Sequence, residues 1–275
     1  MSHRERVERH PESSDGCLMV GAIGVVFLGL FLLLQPTILK ARKKSDASTS
    51  ISNAKQVGIL MLEFDLDFGA YPNDQTAEKK EILNEYVGEY SNDYLGQLLA
   101  GGYIDSEEIF YAKWGSGSKN KPDNVYSTKE KTLEEGECGF AYIKGLRGSD
   151  KAKTPVLLTA MYGDGYKFDP YAYKGKAMVL RVDGSAVGLK LDKEGNAMLP
   201  DGKTLFEGGA ESVWGEEGFD KSNLCYAKYP YTPKKQFDVS AGAVETLIFC
   251  TALGIYLLFC LILLFRKLKR AKRIG

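Results

Sequence analysis

The sequence predicts an α+β chain: a long N-terminal helix packed on a small antiparallel sheet, plus a C-terminal transmembrane helix. Three observations carry this. Two uncharged apolar runs, residues 17–34 and 247–265, bracket a polar stretch. Each is close to the roughly twenty apolar residues that cross a bilayer as a helix. From Ala47 to Phe68 there is no proline, and Ile51, Ala54, Val57, Met61, Leu62 and Leu66 recur near the helical period. After Gly139 the character changes to short β-type runs at 140–143, 156–159, 176–182 and 186–191. Helices followed by a run of strands read as α+β.

Taken in order, residues 1–16 form a head and 17–39 the first span, trailed by Lys40, Arg42, Lys43 and Lys44. The length of the apolar run and the lack of a small-residue cleavage site make it a retained anchor. Residues 40–240 form the domain, with a stem helix over about 45–68 continuing the span through Pro36. Gly69-Ala70-Tyr71-Pro72 stops that helix. Residues 78–89 are expected to be helical, with Ile82, Leu83, Tyr86, Val87 and Tyr90 on one face. Ser91 is read as the N-cap of a helix over 92–100 that ends at Gly101-Gly102. Residues 115–121 read as a loop. Asp183-Gly184 is expected to make a type I′ hairpin turn between the last two β-type runs, and 199–233 to wrap the sheet as loops. Residues 241–265 hold the second span. The 266–275 tail carries six basic residues, which the positive-inside rule keeps in the cytoplasm. Both termini are therefore expected inside and the domain outside.

Charge and residue usage exclude several functions. The chain is neutral overall, but residues 45–239 carry 31 acidic and 23 basic side chains, a net charge of −8. Such a surface does not neutralise phosphates, so no nucleic-acid partner is expected. The two histidines, His3 and His10, precede the first span. The domain therefore offers no histidine-based nucleophile system and no histidine-ligated metal. Cys17, Cys250 and Cys260 fall in or beside the spans. Cys138 and Cys225 remain, either as one disulfide or as two free thiols. Glu63, Asp65 and Asp67 read as a solvated stem face. Trp114, Trp214 and most tyrosines read as packing residues. In the alternative function, a membrane-tethered module that binds or senses a glycan or peptide, Trp214, Tyr226 and Tyr229 would line a cleft.

Several stretches together resemble type IV pilin-like proteins, in particular the major pseudopilins of type II secretion. The resemblance runs through Pro36 with its following basic residues, Asn53-Ala-Lys-Gln-Val-Gly58, and Phe68-Gly-Ala-Tyr-Pro72. It continues in Leu98-Leu-Ala-Gly-Gly-Tyr-Ile-Asp105, Gly139-Phe-Ala-Tyr-Ile143 and Met178-Val-Leu-Arg-Val-Asp-Gly-Ser-Ala-Val187. Two departures stand out. Gly16 is followed by Cys17-Leu18-Met19-Val20-Gly21, so the assembly glutamate of that family's processing site is absent. The second span is also foreign to the family, and extracting it would cost tens of kcal/mol on burial arithmetic of about 0.8 kcal/mol per CH₂. The resemblance implies a pilin-like domain fixed in the bacterial inner membrane and facing the periplasm. It implies a non-catalytic interaction or scaffolding role linked to type II secretion or pilus-like assemblies. The partners would be the lipid bilayer and other membrane, secretion or pilus proteins, with Asn53, Lys55 and Gln56 as interaction residues. No cofactor is expected. The calcium that such pseudopilins often hold in a C-terminal loop would fall to Asp164, Asp169 or Asp192, which read by themselves as turn residues.

Overall fold

The computed structural model describes residues 14–114, 120–162 and 165–228, with side chains before residue 44 given only in part. The chain divides into two units, Met1–Tyr231 and Thr232–Gly275. The second unit, which holds the predicted span at 241–265 and the basic tail, lies outside the described residues, as does most of the predicted head.

The leading helix α1 runs unbroken over Ser14–Phe68, 55 residues, or about 80 Å at 1.5 Å per residue. Its backbone covers the apolar run 17–34 and continues through Pro36. Among the described residues, no helix is long and apolar enough to cross a membrane; the first predicted span rests on its sequence.

The C-terminal half of α1 buries Ser50, Ala54, Val57, Met61 and Phe64, a 4-3-4-3 spacing that keeps one stripe on the core. This matches the predicted face at Ala54, Val57 and Met61 and differs at its last two positions. Leu62 is 39% exposed and Leu66 85% exposed; the inward position is taken by Phe64, whose ring stacks on Phe68 at 4.3 Å and meets Tyr103 at 5.2 Å. The helix ends where predicted. Gly69, at φ +72°, adopts the left-handed conformation of a C-cap glycine, and its N–H donates to Asp65 O at 2.7 Å.

The next segment departs from expectation. Helix α2 covers only Asp74–Ala77, closed by a reciprocal pair between Asn73 and Thr76. The helix expected over 78–89 does not form; a single 3₁₀ turn, Glu81–Leu83, stands in its place. Leu83 and Tyr86 are buried while Ile82 is 55% exposed. Gln97 Nε2 donates sideways to the carbonyls of Tyr86 and Asn73 at 2.9 and 3.0 Å. These buried bonds satisfy backbone groups without a helical ladder.

Helix α3, Ser91–Ala100, starts one residue earlier than expected. Ser91 does not cap it: its hydroxyl donates to Phe140 O at 2.6 Å, and Asp93 Oδ2 accepts from Tyr90 N at 3.0 Å. Its end is a Schellman motif at the predicted glycines. Tyr103 N bonds Leu98 O, Gly102 N bonds Leu99 O, and Gly102 sits at φ +81°.

Six antiparallel strands follow among the described residues: β1 (Ala141–Ile143), β2 (Pro155–Thr159), β3 (Lys176–Arg181), β4 (Ala186–Leu191), β5 (Ala197–Met198) and β6 (Leu224–Cys225). Their order across the sheet is β5-β4-β3-β2-β1-β6. Successive residues of β3 alternate between two cores, Met178 and Leu180 facing α1 and α3, Ala177 and Val179 facing the opposite side. A bulge between Pro155 and Leu157 places both Val156 and Leu157 on the helix side. The opposite face is covered by Leu205, Phe206, Trp214 and Phe219, so the loops over 199–223 wrap the sheet as expected, whereas Leu224–Cys225, also read as loop, joins the sheet as β6 beside β1.

The β3–β4 hairpin corrects the predicted turn. Asp183 is not in the left-handed region; only Gly184 is, at φ +74°. Gly184 N donates to Arg181 O and Arg181 N to Ser185 O, both at 2.9 Å. The loop is therefore the three residues Val182, Asp183 and Gly184, a type I turn closed by a glycine bulge. The reason is packing: Val182 is buried and its N–H is held by Thr154 O, so it joins the loop rather than the strand pair. Cys138 and Cys225 are both buried free thiols, which decides against the disulfide. Burial pushes both up to about 11.

Candidate interaction face and neighbouring polar sites

The three predicted interaction residues on α1 separate by role. Asn53 is turned inward, where Nδ2 donates to Tyr111 O at 2.8 Å and to Glu108 O at 3.2 Å. It latches the 108–111 segment to the stem. Lys55 and Gln56 are exposed, and Gln56 bonds only its own helix, at Ser52 O. Nothing in the local sequence marks this difference, because all three are polar and lie within one turn.

Beside Lys55, the outer side of α1 carries Ile59 at 58%, Leu62 at 39% and Leu66 at 85% exposure. The 59-62-66 spacing places them in one line. This is a second apolar stripe, on the side away from the sheet. Glu63 is exposed next to it. The rest of the predicted acidic face is partly engaged: Asp65 Oδ2 accepts from Gly148 N at 3.1 Å, and the Tyr103 hydroxyl donates to Asp67.

A polar network lies near α2. Lys144 Nζ is 2.8 Å from Asp74 Oδ2 and donates to the Tyr94 hydroxyl at 3.0 Å; that hydroxyl donates to Asp74 Oδ1 at 2.7 Å. Burial opposes the Asp74 charge, but the bonds from Lys144 and Tyr94 outweigh it and hold the carboxyl below its ordinary value. Burial likewise works against the Lys144 ammonium, and Asp74 and Tyr94 reverse it, raising its pKa. Burial raises Tyr94. At neutral pH the three stay as a charged carboxylate, an ammonium and a phenol, which makes a latch rather than a proton-transfer site. A shallow hollow of about 220 Å³, lined in part by Asn73, Lys144 and Arg147, adjoins it.

The aromatic residues expected to line a ligand cleft are used differently. The ring of Trp214 lies 4.6 Å from Phe219 and 6.4 Å from Phe206, and its Nε1 donates to Leu205 O at 2.8 Å. Tyr166 stacks on Phe206 at 4.7 Å, and the Tyr226 hydroxyl accepts from Tyr166 N. These rings close over the sheet as packing. Tyr229 lies outside the described residues. A groove of about 440 Å³ does lie at the ends of β2 and β3, between Lys153, Arg181, Lys203 and Glu211, a mixed-charge surface with no aromatic lining.

The residues considered for calcium also resolve. Asp164 lies outside the described residues. Asp192 is a turn residue, with Oδ1 accepting from Glu194 N and Asn196 N and Oδ2 from Asn196 Nδ2. Asp169 is buried and accepts from Tyr171 N, with Oδ2 unpartnered. Among the described residues, the acidic side chains that converge are three others, Glu107, Asp123 and Glu137. Sequence reasoning missed them because they lie sixteen and fourteen residues apart with no ligand spacing. No family model, curated protein or solved structure matches this chain.

Proposed function

We propose that this chain is a membrane-anchored, pilin-like interaction protein that holds a rigid α+β domain at the bacterial inner membrane, on the periplasmic side. Its role is scaffolding by protein contact, in or beside a type II secretion or pilus-like assembly. One observation carries the reading: a single helix continues from an uncharged apolar run into the core of the sheet domain. Rigid continuity of this kind fixes the height and orientation of the domain over the lipid, which a flexible tether would not do.

The contact face in this reading is the outer stripe of α1. Its partner is an amphipathic helix of a neighbouring assembly protein, because a 3-4 spaced apolar line suits helix-on-helix packing. The packing of Trp214, Phe206 and Phe219 against each other argues against a glycan platform.

The test is site-directed photocrosslinking in native membranes. A crosslinker at Ile59 or Leu66 is expected to trap a discrete partner band, and one at Met61, inside the core, is not. If the Ile59 and Leu66 sites yield no adduct above the Met61 control, the outer stripe is not the contact face.

A further inference from the structure

We propose that Glu107, Asp123 and Glu137 form a Ca²⁺ site that staples the long irregular segment between α3 and β1. One carboxylate oxygen from each of the three lies within 4.8 Å of those of the other two. Two oxygens on opposite sides of one Ca²⁺ are about 4.8 Å apart at the usual Ca–O distance of about 2.4 Å. All three donors are hard oxygens, and they come from three irregular stretches, which suits the flexible coordination of Ca²⁺.

A buried orphan points to the ion independently of the clustering. Glu107 is 0% exposed. Its Oε1 accepts from Leu133 N at 2.7 Å, while Oε2 has no hydrogen-bond partner. A buried carboxylate oxygen with no donor is costly, and burial without a partner charge more so. The other two carboxylates are also anchored to backbone amides: Glu137 Oε2 accepts from Glu134 N at 2.7 Å, and Asp123 Oδ1 from Val125 N at 2.9 Å. Each ligand is thus aimed by its own loop.

None of the ion pairs among the described residues involves these three groups; the nearby Lys131 pairs with Glu134 and acts on Asp123 and Glu137 only through space. Burial works against the charges of Glu107 and Glu137 and the neighbouring carboxylates add to it, while the amides of Leu133, Asn124 and Val125 beside Glu107 and of Glu134 beside Glu137 offset part of this. A divalent ion would relieve the burial and the mutual repulsion together. The ligands span residues 107–137, a stretch whose regular structure among the described residues is limited to short 3₁₀ turns, so an ion there clips a long loop.

The experiment uses the full-length protein in detergent, stripped with EGTA and then titrated with CaCl₂ to about 10 mM, tenfold above the weakest natural calcium modules. Binding heat and thermal unfolding are read in parallel. The expected result is a saturable one-to-one heat and a rising melting temperature. Asp123→Asn, on the exposed ligand, should weaken Ca²⁺ at least tenfold, and Glu107→Gln should abolish the calcium-dependent rise. In EGTA both variants should melt no lower than the parent, since each removes a repelling charge and Gln keeps the bond to Leu133 N. No heat and no shift with Ca²⁺ would overturn the proposal, as would equal shifts in the parent and both variants.

Discussion

At the residue scale, small changes in side-chain environment decide what each polar or small group does. Gly58 is an example. It lies on the buried face of α1, and a Cβ there would come within 2.8 Å of Leu180 Cδ2 on β3. Glycine costs a helix about 1 kcal/mol against alanine, yet here it allows the stem to sit close on the sheet. Gly58→Val should destabilise the domain by about 2 kcal/mol through overpacking. Leu180→Ala should recover part of that loss, and denaturant unfolding of the double-mutant cycle would read the coupling. If the two substitutions were additive, the contact would not be the cause. Asp74 gives a second prediction, with a defined sign. Its pKa is lowered in the folded chain, so its contribution is present above the ordinary unfolded value of about 3.9 and is lost as pH falls through the lower folded value. Asp74→Asn should therefore lower the melting temperature at pH 7, and the gap to the parent should close on acidification through that window. A gap that persists at the acid end would assign the effect to geometry instead of charge.

At the level of elements, the features that were legible in the sequence are those fixed by local chemistry. The stop of α1 at Gly69 and the Schellman end of α3 at Gly101-Gly102 follow from glycine's access to positive φ. Strands β1 to β4 were legible too, because each apolar run lies in a short segment bounded by turn residues; the two-residue strands β5 and β6 were not, since two residues carry no alternation to read. What failed did so where distant groups compete. The 78–89 segment has a helical pattern, but its Tyr86 carbonyl accepts from Gln97 Nε2 and its Tyr86 hydroxyl shares a hydrogen bond with Thr132 Oγ1. The Asp183-Gly184 turn type was decided by Val182, whose burial and bond to Thr154 pull it into the loop. On α1 itself, Ala54, Val57 and Met61 are buried as predicted, while Leu62 and Leu66 fall outside the buried stripe because they fit a helical repeat as well as Phe64 does.

For the whole molecule, the consequential arrangement is a sheet covered on both sides. One face carries α1 and α3, and the other carries the aromatic layer of Phe206, Trp214 and Phe219. With both faces occupied, the surface left for partners lies on the outer side of α1, the sheet edges and the loops. The orientation over the membrane is testable as a unit. A topology reporter inserted at the exposed Lys121 should give an extracytoplasmic signal, and one after Gly275 a cytoplasmic signal. A cytoplasmic signal at Lys121 would remove the secretion-linked reading together with the two-span arrangement.

The sequence by itself determined the two apolar runs, the long helix and its stop, the antiparallel strands, and the absence of histidine chemistry between the runs. These depend on composition and on periodicity within a few residues, where each side chain's preference acts on its own backbone. Only the tertiary structure decided that Phe64 and not Leu62 or Leu66 completes the buried face of α1, that Asn53 is a latch, that Cys138 and Cys225 are separate thiols, and that Glu107, Asp123 and Glu137 meet. Those outcomes depend on which distant segments share a volume. No local pattern encodes that, because the energy that selects it is spread over the whole core.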